Sequence, residues 1–180
     1  MENASEPARQ SRLRKLVSML ANVVLFVAIV YGVTTFQSRN MLDSDGEPAP
    51  PLLGPTLDGS VYQLGAPPAR PTVVYFFAPW CKVCALSSGN LVRLRRWRDA
   101  DDLDIVAVAL AWSDEAEVET YAAKHQLNMP VVLGDPALAR GWQVYAFPSY
   151  YVIDSDGRVA RRDIGYSSQL GLWWRAWALN

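Results

Sequence analysis

From Leu16 to Phe36 the chain carries no charged residue. A helix over this run, at about 1.5 Å per residue, covers the roughly 30 Å hydrocarbon core of a bilayer. Arg9, Arg12, Arg14 and Lys15 stand ahead of it, while Arg39 and then Asp43, Asp45 and Glu47 follow. This asymmetry predicts that residues 1–15 form a cytoplasmic basic segment and that the rest of the chain lies across the membrane. The alternative is a cleaved signal peptide, whose apolar region is about 7 to 15 residues and ends in a small-x-small site. Val33-Thr34-Thr35-Phe36-Gln37 is a poor site of that kind. We therefore expect an uncleaved transmembrane anchor over 16–36. Residues 37–54, with Pro48, Pro50, Pro51 and several acids, follow neither a helical nor a strand period and are expected to be a linker.

That leaves 55–180 of a 180-residue chain, room for one domain and not for two. Hydrophobic residues make up 51% of the chain and aromatic residues 11%, enough for a packed core. The formal net charge of -1 supplies no field that would attract nucleic acid. Arg93, Arg95, Arg96 and Arg98 read as the solvated side of a helix.

Leu57 to Leu64 reads as a short hairpin with Asp58-Gly59 at its turn. Thr72-Val73-Val74-Tyr75-Phe76-Phe77 is a continuous apolar and β-branched run, the pattern of a strand buried on both faces. From Cys84 to Arg98, Leu86, Leu91, Leu94 and Trp97 recur at helical intervals, which predicts a helix with those residues inward. Ile105–Leu110 reads as a second buried strand, followed by a helix over Asp114–His125 carrying Val118, Tyr121 and Ala122 on one face. A short strand over Pro130–Leu133 and a short helix over Pro136–Trp142 follow. Ser149–Ile153 and Arg158–Ile164 read as a hairpin around Asp154-Ser155-Asp156-Gly157, before a last helix from about Ser168 to Leu179. The order βαβαβαββα fits an α/β fold: a parallel core, helices on both faces and an antiparallel terminal hairpin.

The chain has only two cysteines, and they form Cys81-Lys82-Val83-Cys84 where the buried strand hands over to a helix. A structural disulfide framework needs more pairs, and a zinc ribbon needs a second Cys/His pair; the only histidine is His125. Disulfide exchange needs a thiolate, and the first turn of a helix lowers a thiol's pKa through its unpaired N–H groups and dipole. Cys81 holds that place, with the cation Lys82 beside it, and is the expected nucleophile. Cys84, one turn on and deeper, is expected to attack the mixed disulfide and release the partner. Two other readings compete: inert buried cysteines, or a metal clamp short of ligands.

Phe77-Ala78-Pro79-Trp80-Cys81-Lys82-Val83-Cys84 resembles the strand-to-helix active site of thioredoxins, and Phe147-Pro148-Ser149-Tyr150-Tyr151-Val152-Ile153-Asp154 looks like their proline loop. With the apolar run and the insertion Trp112 to Leu133, the chain is similar to the membrane-bound TlpA/ResA/DsbE group. Its Cys-x-Val-Cys centre and its ending look closest to the ScsD-like branch, linked to copper-stress tolerance. The resemblance covers roughly residues 50 to 180. It implies a thioredoxin-like fold, a central mixed sheet flanked by helices, with Pro148 as a cis-proline facing the cysteines and Trp80 covering the disulfide. It also implies a thiol:disulfide oxidoreductase needing no cofactor or metal beyond the redox-active Cys81–Cys84 disulfide. Its partners would be periplasmic proteins with disulfides or thiols and a membrane thiol-reductase of DsbD-like type, with the inner membrane reached through residues 16–36.

Three departures from the family stand out. Ser87 occupies the place of a glutamate that tunes the thiols, and Tyr75 that of a buried aspartate. Phe147 replaces a small or β-branched residue before the proline; with Trp80, Lys82 and Val83 it is expected to surround the active site. A reductant is the expected direction; an oxidase or isomerase, and a non-catalytic copper-binding module, are the alternatives. The aromatic end, Trp173, Trp174 and Trp177, is expected to pack inward rather than to dock a partner or the membrane.

Overall fold

The structure, a computed structural model, describes residues 6–38, 41–44, 46–65, 67–99 and 101–177. It divides into two units, Met1–Arg39 and Asn40–Asn180. The first holds one helix, α1 (Glu6–Ser38). Within it the 20 residues Arg14–Val33 have a mean hydropathy of 2.4. Leu20, Val24 and Phe26 lie exposed along with the helix's other described apolar side chains. A helix that is apolar all round is stable only when covered by protein or lipid.

The second unit is built on a five-stranded mixed sheet in the order β5-β4-β3-β6-β7. Its strands are β3 (Thr72–Phe77), β4 (Asp104–Ala109), β5 (Val131–Leu133), β6 (Ser149–Ile153) and β7 (Val159–Ile164). β3 runs parallel to β4 and antiparallel to β6, and every one of its residues is buried. It is the central strand its composition predicts. Among the described residues four helices complete the unit: α2 (Lys82–Trp97), α3 (Glu115–Lys124), α4 (Pro136–Gly141) and α5 (Gln169–Trp177). Asp114 and Asp135 cap α3 and α4, each side chain accepting from a backbone N–H of the first turn.

The alternation of β3 splits the core in two. Val73, Tyr75 and Phe77 pack with Cys84, Leu91, Leu94, Val118, Tyr121 and Leu172 on one face of the sheet. Val74 and Phe76 pack with Leu52, Trp142 and Tyr151 on the other.

Four expectations need correction. The hairpin at the start of the domain lies earlier than expected: β1 (Leu53–Pro55) pairs with β2 (Val61–Gln63), and residues 56–60 form the turn. There Asp58 accepts from Thr56 and Ser60 and Gly59 has φ +80°, so turn chemistry claims residues that had looked like strand. The linker expected over 37–54 is folded from Met41 onward. Met41, Leu42 and Leu52 are buried, and Arg162 binds the carbonyls of Met41 and Leu42 at 2.7 and 2.8 Å. Glu47 and Ala49 pair with Val159 and Gly157 on the far side of the sheet.

The inward face of α2 also differs. Leu86 and Trp97 are exposed, whereas Cys84, Ser87, Ser88 and Asn90 are buried beside Leu91 and Leu94. Hydrogen bonds explain the exchange: Asn90 donates to the Ser167 carbonyl at 2.9 Å and Ser88 sits among hydroxyls under Cys84. Finally, Trp173 and Trp174 are exposed on α5, whereas Leu172 beside them is buried in the core. The side chain of Trp177 and the helix end expected at Leu179 lie outside the described residues.

Candidate active site

β3 delivers the chain to Ala78-Pro79-Trp80, where a turn closes with Cys81 N–H on the Ala78 carbonyl at 3.0 Å. Cys81 is the N-cap of α2, with extended φ and ψ of -79° and 108°. Its Sγ accepts the N–H of Cys84 at 3.1 Å, so sulfur takes the role that Ser or Asp oxygen usually plays at this position. A negative charge on that sulfur is favoured by the N–H and by the helix end. The two cysteines are joined in a disulfide with Cα atoms 5.2 Å apart. Cys81 is 7% exposed and Cys84 is fully buried, so a partner can reach only the first. Lys82 and Val83 project outward between them.

Trp80 is exposed, and its Nε1 donates to the Ala111 carbonyl at 2.9 Å. Its ring meets Phe147 edge-on, with centroids 5.8 Å apart. The Phe147–Pro148 peptide bond is cis, as the resemblance implies, and Gly165 N–H binds the Pro148 carbonyl at 2.8 Å.

Beside Cys81 a groove of about 620 Å³ runs between the active-site turn and α3, walled by Trp80 and Lys82 on one side and by Glu117, Tyr121 and His125 on the other. Nothing in the sequence assigns His125 a role beside the cysteines, from which it is 41 residues removed. The structure places it in this groove, its ring 4.4 Å from that of Tyr121. Burial, helped by Lys124, holds its pKa below the ordinary histidine value. The available signal was its spacing of four from Tyr121, which puts both on one side of α3.

Under Cys84 lies a second feature the sequence reading missed. Tyr75 Oη and Ser88 Oγ both reach the Cys84 carbonyl, at 3.1 and 2.9 Å, and Ser88 Oγ meets Tyr121 Oη at 2.7 Å. Burial pushes the pKa of both tyrosines upward, so they stay protonated. Ser87, by contrast, is buried with no hydrogen-bond partner for its Oγ among the described residues. A non-catalytic metal module would need further ligands near the thiols, and among the described residues no group of three or more His, Cys, Asp or Glu gathers.

Comparison with known proteins agrees with this arrangement. The family model described as Redoxin matches residues 44–170. The thioredoxin-like protein YneN of Bacillus subtilis is 24% identical over 156 residues, covering 83% of this chain and 91% of that protein. The thiol-disulfide oxidoreductase ResA of Bacillus cereus is 25% identical over 123 residues, covering 67% and 69%. Among solved structures, a thiol:disulfide interchange protein from Chlorobium tepidum superposes with a TM-score of 0.68 at 23% identity, covering 77% of this chain and 99% of that one. With a reachable sulfur at a helix end, a buried one behind it and a family match over most of its length, the chain belongs to the Redoxin family as a thioredoxin-fold thiol-disulfide oxidoreductase.

Proposed function

We propose that this oxidoreductase is a reductant of protein disulfides, held in a bacterial inner membrane by α1 with its redox domain in the periplasm. The observation that carries the assignment of roles is the pairing of Cys81 Sγ with the Cys84 N–H at the start of α2, with Cys84 closed off behind it. Cys81 thiolate attacks one sulfur of a partner's disulfide, and the other partner sulfur leaves with the electron pair and takes up a proton. Cys84 then attacks Cys81, the Cys81–Cys84 disulfide forms and the partner leaves as a dithiol. Two electrons have passed from the chain to the partner, and a membrane thiol-reductase of DsbD-like type restores them.

The partner's chain lies along the backbone ahead of Pro148, since the Pro148 carbonyl is already held by Gly165. Trp80 and Phe147 flank the place where its cysteine arrives. Direction rests on charge. Lys82 is the only charge between the cysteines, burial disfavours the charged form of His125, and Lys124 on the groove wall is offset by Glu117 and Asp114 there, so the thiolate lacks the surplus of cations that makes a strong oxidant. Equilibrated with glutathione buffers, the couple should show a potential nearer about -270 mV than about -120 mV. A value at the oxidising end, with the pair oxidised in cells that contain the membrane reductase, would make the chain an oxidase instead.

Membrane placement has its own test. A reporter active only outside the cytoplasm should work when fused after Asn180 and fail when fused ahead of Met1. The reverse pattern, or activity in neither position, would remove the anchor from this reading.

A further inference from the structure

Cys84 poses a chemical problem that Cys81 does not. Its thiol is fully buried, burial penalises the thiolate, and yet Cys84 must lose a proton before it can attack the mixed disulfide at Cys81. Cys81 caps α2 and receives the Cys84 N–H on its sulfur; Cys84, in the first turn but closed off from water, spends its own N–H on Cys81. What it has is a knot of three buried hydroxyls.

Tyr75 Oη donates to the Cys84 carbonyl from β3, Ser88 Oγ donates to the same oxygen from one turn further along α2, and Tyr121 Oη meets Ser88 Oγ from α3. Three elements therefore converge on one peptide group. The rings are fixed as well: Phe77 stacks on Tyr75 at 5.6 Å and on Tyr121 at 4.6 Å. Helix packing alone does not require this, because the Cys84 carbonyl is also an ordinary acceptor within the ladder of α2. The additional donors draw negative charge off the Cys84 carbonyl oxygen, which lessens the repulsion that a thiolate on the same residue meets in a low-dielectric interior.

We propose that Tyr75, Ser88 and Tyr121 are positioning residues for the resolving step, which hold the Cys84 peptide and stabilise the Cys84 thiolate as it forms. This rests on the assignment of Cys84 as the resolving thiol. The step balances without another reactant. Cys84 gives up its proton and forms the S–S bond to Cys81, the bond from Cys81 to the partner sulfur breaks, and the departing thiolate takes up a proton. The tyrosines remain neutral throughout. Other groups able to influence the pH response are Lys82 on the active-site turn and Asp114, Glu117, Lys124 and His125 on the α3 wall of the groove.

The test uses reduced full-length protein in detergent micelles, mixed with oxidised glutathione, quenched in acid and weighed by mass spectrometry. Appearance of the glutathione adduct reports attack by Cys81, and its disappearance reports resolution by Cys84. Tyr75→Phe and Ser88→Ala should leave the first rate unchanged, slow the second about tenfold at pH 7 and move its pH profile up by about one unit. Ser88→Thr, which keeps the hydroxyl, should restore both rate and profile. The unchanged first rate shows that each variant is folded, and Tyr121→Phe, which also touches the groove wall, supplies a further variant read on the second rate and its pH profile.

Variants that resolve the adduct at the wild-type rate and pH overturn the inference, as does a profile that moves with His125→Gln and not with the hydroxyl variants. If the wild type forms no adduct at Cys81, the assignment of roles has failed instead, a different result.

Discussion

Full-length protein carrying Cys84→Ser is expected to accumulate mixed disulfides with its partners, visible as high-mass bands on non-reducing gels that collapse on reduction. Cys81→Ser should trap almost nothing and lose exchange activity by about a thousandfold or more, because the nucleophile itself is gone. The contrast follows from geometry: Cys81 caps α2 and is reachable, while Cys84 is closed off and can act only on a sulfur already attached to Cys81. Equal trapping by the two variants, or trapping by Cys81→Ser alone, would reverse the roles.

The second large effect is on stability and lies on the opposite face of the sheet. Trp142 is fully buried, its ring packs against Phe76 and Tyr151 at 5.4 Å each, and its carbonyl accepts the Tyr151 hydroxyl at 2.7 Å. Trp142→Ala removes that ring and the indole bond to the Pro51 carbonyl, so it should cost about 3 to 5 kcal/mol. For a domain of this size the melting temperature falls by about 10 to 20 °C. Below the new midpoint the Cys81–Cys84 potential should stay unchanged, since the residue belongs to the other half of the core. A midpoint within a few degrees of the wild type would show that the site collapses around the loss.

What could be read in advance, and what could not, follows from the physics of each segment. β3 and β6 were legible to the residue because fully buried strands need unbroken apolar runs. The cysteine pair was legible because strand and helix signals meet around it. The inner face of α2 was not, since it is defined by Ser87, Ser88 and Asn90, whose burial depends on partners in β3, α3 and the segment before α5. Composition carries no trace of such pairings, and the exposed Leu86 and Trp97 pointed the other way. His125 was missed for a related reason: it enters the groove only because the β4–α3 connection brings α3 alongside the active-site turn. The stretch 41–54 looked like a tether because prolines erase periodicity even where the chain is packed down.

That stretch has a bearing on the order of events in folding. Glu47 and Ala49 bond to Val159 and Gly157 beside one outer strand, Leu52 crosses the core, and Thr56 and Leu57 pair with Val132 and Val131 at the other outer strand. A belt made early in synthesis thus fastens to strands made much later, and the loops it closes are among the longest in the domain. Local units, such as β3 with α2 or the β6–β7 hairpin, can form while the belt is still loose, because their closure costs less entropy. The belt then closes last, covering both edges of the sheet. Until it does, the outer strands stand as open templates, so the interval before fastening is when this chain is most exposed to pairing with a second, half-folded copy.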